Sequence, residues 1–248
     1  MLDRLTSALT AKFTRQLVLS PEGRARMLAQ CAEAEDNGES RLFDRLLEKV
    51  DDARLQGMIR RHQQDEVRHG ELFRACAARA GVTVPPVPDH LKIVDRIDRA
   101  LNGIFQRPVQ SNLDVMEAYL LLQVLEERAV SQFPLFQAAF RDVDPHTAET
   151  FAEVARDEDR HLKYCHAISK RYAPDEATRL ATLKHFRAVE AKAFADNSRA
   201  NMEAALDGGY VAAGPFGRAF WRAVRATVGG LQTAQYTRFS TLPATATA

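Results

Sequence analysis

Apolar residues recur at three- and four-residue spacing along almost the whole chain, and runs alternating apolar with polar are nearly absent. That period belongs to amphipathic helices rather than to half-buried strands. Capping residues and breakers divide the pattern. A first amphipathic segment spans about Leu2–Leu19. Ser20, Pro21 and Glu22 then supply an N-cap, a first-turn proline and a first-turn acid. They open a helix expected to run to about Val50, with Gly38 as a kink. Asp51 and Asp52 form a turn and N-cap for a helix over about Ala53–Ala80, closed by Gly81. The stretch GVTVPPVPDH cannot be helical, because its three prolines restrict both themselves and their neighbours. It begins a connection of about 30 residues with a short helix near Asp89–Ile104. A third long helix is expected from Asn112 or Asp114 to about Arg141, kinked or broken at Pro134. Further helices follow over Pro145–Tyr172 and Pro174–Leu206, and a last one from Pro215, before a frayed tail.

Two helical hairpins joined by a long crossover read as an all-α, ferritin-like four-helix bundle of the one-crossover kind, with added helices at both ends. The expected organisation is a di-metal bundle over residues 1–207, with its core at 21–172. Residues 208–248 form a C-terminal helix and tail packed on that same domain.

One short pattern is repeated. QDEVRHGELF at Gln64–Phe73 and RDEDRHLKYC at Arg156–Cys165 share D-E-x-R-H in register. Both copies fall on stripes otherwise made of core-forming residues: Leu55, Met58, Ile59, Leu72, Phe73 and Cys76 around the first, Phe151, Val154, Cys165 and Ile168 around the second. A carboxylate on a buried face costs several kcal/mol unless something cationic meets it. Glu66 with His69, and Glu158 with His161, lie one helical turn apart, so each pair can reach one metal ion. The hairpins place single acids opposite: Glu35 or Glu39 for Glu66, and Glu126 or Glu127 for Glu158. Glu35 precedes Glu66 by 31 residues, as Glu127 precedes Glu158. That equality favours Glu35 and Glu127, with Glu39 and Glu126 in reserve. The metal set read from the sequence is therefore Glu35, Glu66, His69, Glu127, Glu158 and His161. Four carboxylates balance two divalent ions, and hard oxygen donors with two imidazoles suit iron or manganese. His62, on the same stripe, reads as a partly buried or capping histidine rather than a ligand; His166 and His185 read as surface residues. Tyr119 and Cys165 read as core.

The order Glu, Glu-x-x-His, Glu, Glu-x-x-His resembles the ferritin-like di-iron carboxylate superfamily over about Pro21–Arg171. The D-E-x-R-H form is similar to the signature of soluble methane and toluene monooxygenase hydroxylases. In length the chain is closer to the aldehyde-deformylating oxygenases and the tRNA hydroxylase of that superfamily. No Cys-x-x-Cys pair is present, which argues against a full rubrerythrin. The resemblance implies that Asp65 holds His161, that Asp157 holds His69, and that Arg68 and Arg160 neutralise the two aspartates.

Composition changes this picture little. Net charge is +1, so bulk charge gives no reason to expect nucleic acid. No apolar run approaches the roughly 18 residues that span a bilayer. Three widely spaced cysteines suit a reducing cytoplasm. The leading expectation is an O2-dependent oxidoreductase with two iron ions, manganese or a mixed iron–manganese pair being the alternative. Its partners would be dioxygen, an unidentified substrate and an electron-donor protein, with a homodimer compatible. Iron handling by a ferroxidase or peroxide-detoxifying protein is the second reading. A tRNA-modifying hydroxylase is the third, resting on Arg218, Arg222, Arg225 and Arg238 near the C-terminus.

Overall fold

The structure, a computed structural model, describes residues 2–37 and 39–225, with side chains described for 8–36 and 42–225. The described residues are all-α. The chain runs α1 (Leu2–Val18), α2 (Pro21–Asn37), α3 (Glu39–Lys49) and α4 (Ala53–Arg79), then a single 3-10 turn (Asp89–Leu91), α5 (Ile93–Ala100), α6 (Asn112–Phe140), α7 (Pro145–Tyr172) and α8 (Glu176–Asp207). Residues 215–225 are again helical. No helix among the described residues is long and apolar enough to cross a membrane.

The helix starts follow the capping residues. Ser20 Oγ accepts from the Gly23 amide at 3.2 Å. Asp52 accepts from the amides of Arg54 and Leu55 at 2.9 and 3.1 Å. Ser111 and Asp114 form a reciprocal capping box at the head of α6, and Asp144 and Asp175 cap α7 and α8. Gly81 takes the left-handed conformation (φ 72°) just beyond α4, where a side chain would be strained.

Two expectations are corrected. The single helix expected over 21–50 is two, α2 and α3; the residue between them, Gly38, lies outside the described residues, as do the side chain of Glu39, Arg238 and the expected C-terminal tail. Pro134, by contrast, does not end its helix: α6 continues to Phe140. The proline sits on an exposed side, where water can satisfy the carbonyl that its missing N–H leaves behind.

Short turns return α3 into α4 and α6 into α7. α2 packs along α4, α6 packs along α7, and α4 meets α7. The connection between α4 and α6 is not a slack loop: Leu91, Val94, Ile97, Leu101, Ile104 and Phe105 are buried, and α5 lies against α8. Two apolar clusters fill the interior. One, around Phe43, Ile59, Tyr119 and Leu122, lies toward one end of the helices; the other, around Leu28, Phe73, Phe140 and Phe151, lies toward the opposite end. The repeated motifs fall between them. A third cluster joins Met202, Leu206, Val211 and Trp221 to α1, with Trp221 Nε1 donating to Gln16 Oε1.

Candidate metal centre

Halfway along α4 and α7 the buried faces change from apolar to ionisable. His62, Glu66 and His69 on α4, and Glu158 and His161 on α7, are all at most 2% exposed. α6 adds the buried Glu126, and α2 adds Glu35, whose side chain is 12% exposed. These residues make two clusters sharing Glu66: Glu35, Glu66, His69 and Glu158 in one, His62, Glu66, Glu126 and His161 in the other.

The donor atoms converge. His69 Nδ1 lies 3.2 Å from Glu158 Oε1, 3.7 Å from Glu66 Oε2 and 3.8 Å from Glu35 Oε2. His161 Nδ1 lies 2.9 Å from Glu158 Oε2, 3.1 Å from Glu66 Oε1 and 3.6 Å from Glu126 Oε1. Glu66 and Glu158 therefore each turn one oxygen toward His69 and the other toward His161. Several of these atoms sit close without forming aligned hydrogen bonds: Glu66 Oε1 and His69 Nδ1 are buried and lack a hydrogen-bond partner. Buried donors brought together with some of their hydrogen bonds unmade are what a ligand cage presents. The donor separations also suit a cation, since an octahedron with bonds of about 2.1 Å has edges of about 3 Å. The residues present thus fit a pair of divalent ions.

Behind the two histidines stands a charged support. Asp65 Oδ2 is 3.2 Å from His161 Nε2, and Asp157 Oδ2 is 3.4 Å from His69 Nε2. Each aspartate reaches across to the histidine of the opposite helix. Arg160 bridges Asp65 and Asp157, both at 2.7 Å, and Arg68 pairs with Asp157 and with Glu153. Such carboxylates fix the imidazole tautomer and leave Nδ1 facing the cluster.

Without a cation the groups divide the protons among themselves. Burial, then the charges of Glu126 and Glu66, push Glu158 up to about 8. Burial and the neighbouring Glu66 raise Glu35 as well. Burial also works against charge on Glu126, yet hydrogen bonds from His161 and His62 hold it at about 2. His69 and His161 are raised despite burial, because carboxylates surround them.

Glu127 is not among these residues. It leaves the centre for α8, where Arg187 grips it through Nε at 2.8 Å, and Gln123 donates to it at 2.9 Å. Its neighbour Glu126 faces inward instead. Equal spacing requires equal turns, and the α6–α7 turn (residues 141–144) is one residue longer than the α3–α4 turn (residues 50–52). His62, expected from sequence to be partly buried or capping, is fully buried and lies inside the second cluster. The signal was its place four residues before Glu66 on the same stripe. His166 and His185 are exposed, and Tyr119 and Cys165 are buried in the apolar core. Of the C-terminal arginines, Arg222 pairs with Asp207 at 3.0 Å and Arg225 with Glu203, both on α8. Much of that basic face is thus already partnered.

A cavity of about 240 Å³ opens between α1, α2, α6, α8 and residues 215–225, lined by Phe13, Gln30, Phe136, Asn197, Tyr210 and Trp221 among others. Phe136 also belongs to an aromatic group with Phe133, Phe151 and Phe73, in which Phe73 is one turn beyond His69. Comparison of the chain with family models, curated proteins and solved structures gave no match.

Proposed function

We propose that this protein is a di-metal carboxylate oxidoreductase that activates dioxygen, with α2, α4, α6 and α7 as the four helices of a one-crossover bundle and two iron ions at its middle. The observation that carries the reading is the shared use of Glu66 and Glu158, each offering one oxygen to either half of a buried carboxylate–imidazole cluster. Glu35 and His69 would complete one metal position, and Glu126 and His161 the other. Four ionised carboxylates match the charge of two divalent ions, which would take the place of the protons that the metal-free cluster holds. Manganese would be held by the same donors.

Bound iron would supply the redox chemistry with oxygen. The chain's own residues do the rest. Asp65 and Asp157 hold the two imidazoles in the tautomer that presents Nδ1. Arg68 and Arg160 keep those aspartates charged. The aromatic group on the His69 side and the apolar cluster around Phe43 exclude water from above and below. The candidate substrate pocket is the cavity between α1, α2, α6, α8 and residues 215–225, which none of the cluster residues lines. Its wall is largely apolar, and it carries a buried polar atom, Asn197 Oδ1, without a hydrogen-bond partner among the described residues.

The test is to load purified protein with Fe(II) without oxygen, admit oxygen, desalt, and count iron beside Glu66→Ala and Glu158→Ala variants. About two irons per chain in the parent, with oxygen consumed in proportion and far fewer irons in both variants, is the expected result. Tens of irons per chain would make this a storage protein. No oxygen consumption by a protein holding two irons would remove the oxygen-activating role.

A further inference from the structure

The two halves of the centre are built by one repeated motif, yet only one of them contains a third imidazole. The position four residues before Glu66 is His62; the position four residues before Glu158 is Val154. His62 is 1% exposed, so no solvent explains it. Its Nε2 lies 2.9 Å from Glu126 Oε1 and 3.2 Å from Glu66 Oε1. These are the same two oxygens that His161 Nδ1 approaches at 3.6 and 3.1 Å. The two rings stack with centroids 3.8 Å apart and planes 29° apart, so two imidazole nitrogens converge on one pair of carboxylate oxygens. The far side of His62 packs near Phe43, and its Nδ1 has no hydrogen-bond partner, whereas the distal nitrogens of His69 and His161 face aspartates.

We propose that His62 is a third imidazole donor confined to the Glu126–His161 half, so that the two metal positions are chemically unequal. This rests on the two-metal reading above. Both halves share Glu66 and Glu158 and add one carboxylate each. The half with His62 therefore carries the same charge and one more neutral nitrogen. A further donor raises affinity, and nitrogen shifts preference toward the later divalent metals of the first row. The Glu126–His161 position fills first and tolerates manganese least. The Glu35–His69 position, with fewer protein donors, keeps more of its coordination for exogenous ligands.

The experiment is an anaerobic Co(II) titration of chelator-stripped full-length protein, read by visible absorption and by cobalt per chain. The parent should bind in two steps, the first tighter. His62→Ala and the closer-sized His62→Gln should weaken the first step at least about tenfold, the scale on which even a ligand's supporting group acts, and leave the second step in place. Glu35→Ala should remove only the second. Helical circular dichroism matching the parent establishes that each variant is folded; if His62→Ala is not, His62→Gln decides. Folded His62 variants with an unchanged first step would overturn the proposal while leaving the two-metal reading intact. A parent that binds no cobalt would overturn both.

Discussion

α4 and α7 carry the repeated motif, and α2 and α6 carry the single acids; the first pair could be read from sequence and the second only halfway. α4 and α7 are half-buried helices with a clear inner stripe, and every motif residue falls where its stripe predicts. α6 is different. From Val115 to Val124 nearly every residue is buried, because α7, α8, α3 and α1 surround it. A helix apolar on all sides has no face that periodicity can select. Equal spacing then favours Glu127 over Glu126, and packing reverses the choice: Glu126 turns to the histidines while Glu127 turns to Arg187. A repeated motif specifies its own helices; it does not specify the register of the helices that face them.

The sharpest way to break this comparison is at its shared residue. Glu66→Ala removes a donor from both clusters, so metal binding should fall from about two ions per chain to well under one, read by equilibrium dialysis and elemental analysis. The supports come next. Asp157→Asn and Asp65→Asn should each weaken metal binding by about 10–100-fold, since the histidine behind each loses its anchor; a drop confined to one of the two would show that the symmetry of the support is only geometric.

Acidity sharpens the same point. In the metal-free centre Glu158 holds its proton up to about 8, because burial and then the charges of Glu126 and Glu66 oppose ionisation. The raised imidazoles also keep theirs. A cation must displace these protons, so apparent affinity should rise with pH and fall by at least about tenfold per unit below about 8. Dialysis across pH 6–9 checks it; a flat profile would mean that the ligands are already deprotonated.

The remaining mismatches have the same physical origin. Caps and breakers are legible because they act locally: Asp52 and Gly81 bound α4, and α6 begins at Asn112, one of the two starts the sequence offers. Of the two outcomes expected at Pro134, a kink or a break, the break is absent, because whether a proline ends a helix depends on what lies against it, and here that is solvent. His62 lies on the inner stripe of α4, and the acid that meets it comes from α6, the helix whose register is not readable from sequence. The smallest effect belongs to the acid that leaves the centre. Glu127→Ala should keep both metals and cost about 1 kcal/mol or less in chemical denaturation, the range of a partly exposed ion pair.

The most direct measurement is the metal content of the parent, Glu126→Ala and Glu127→Ala after identical anaerobic loading with Fe(II). The account predicts about two ions per chain in the parent and in Glu127→Ala, and about one or fewer in Glu126→Ala. Loss of metal in Glu127→Ala with none in Glu126→Ala, or no metal in the folded parent with either iron or manganese, would contradict it.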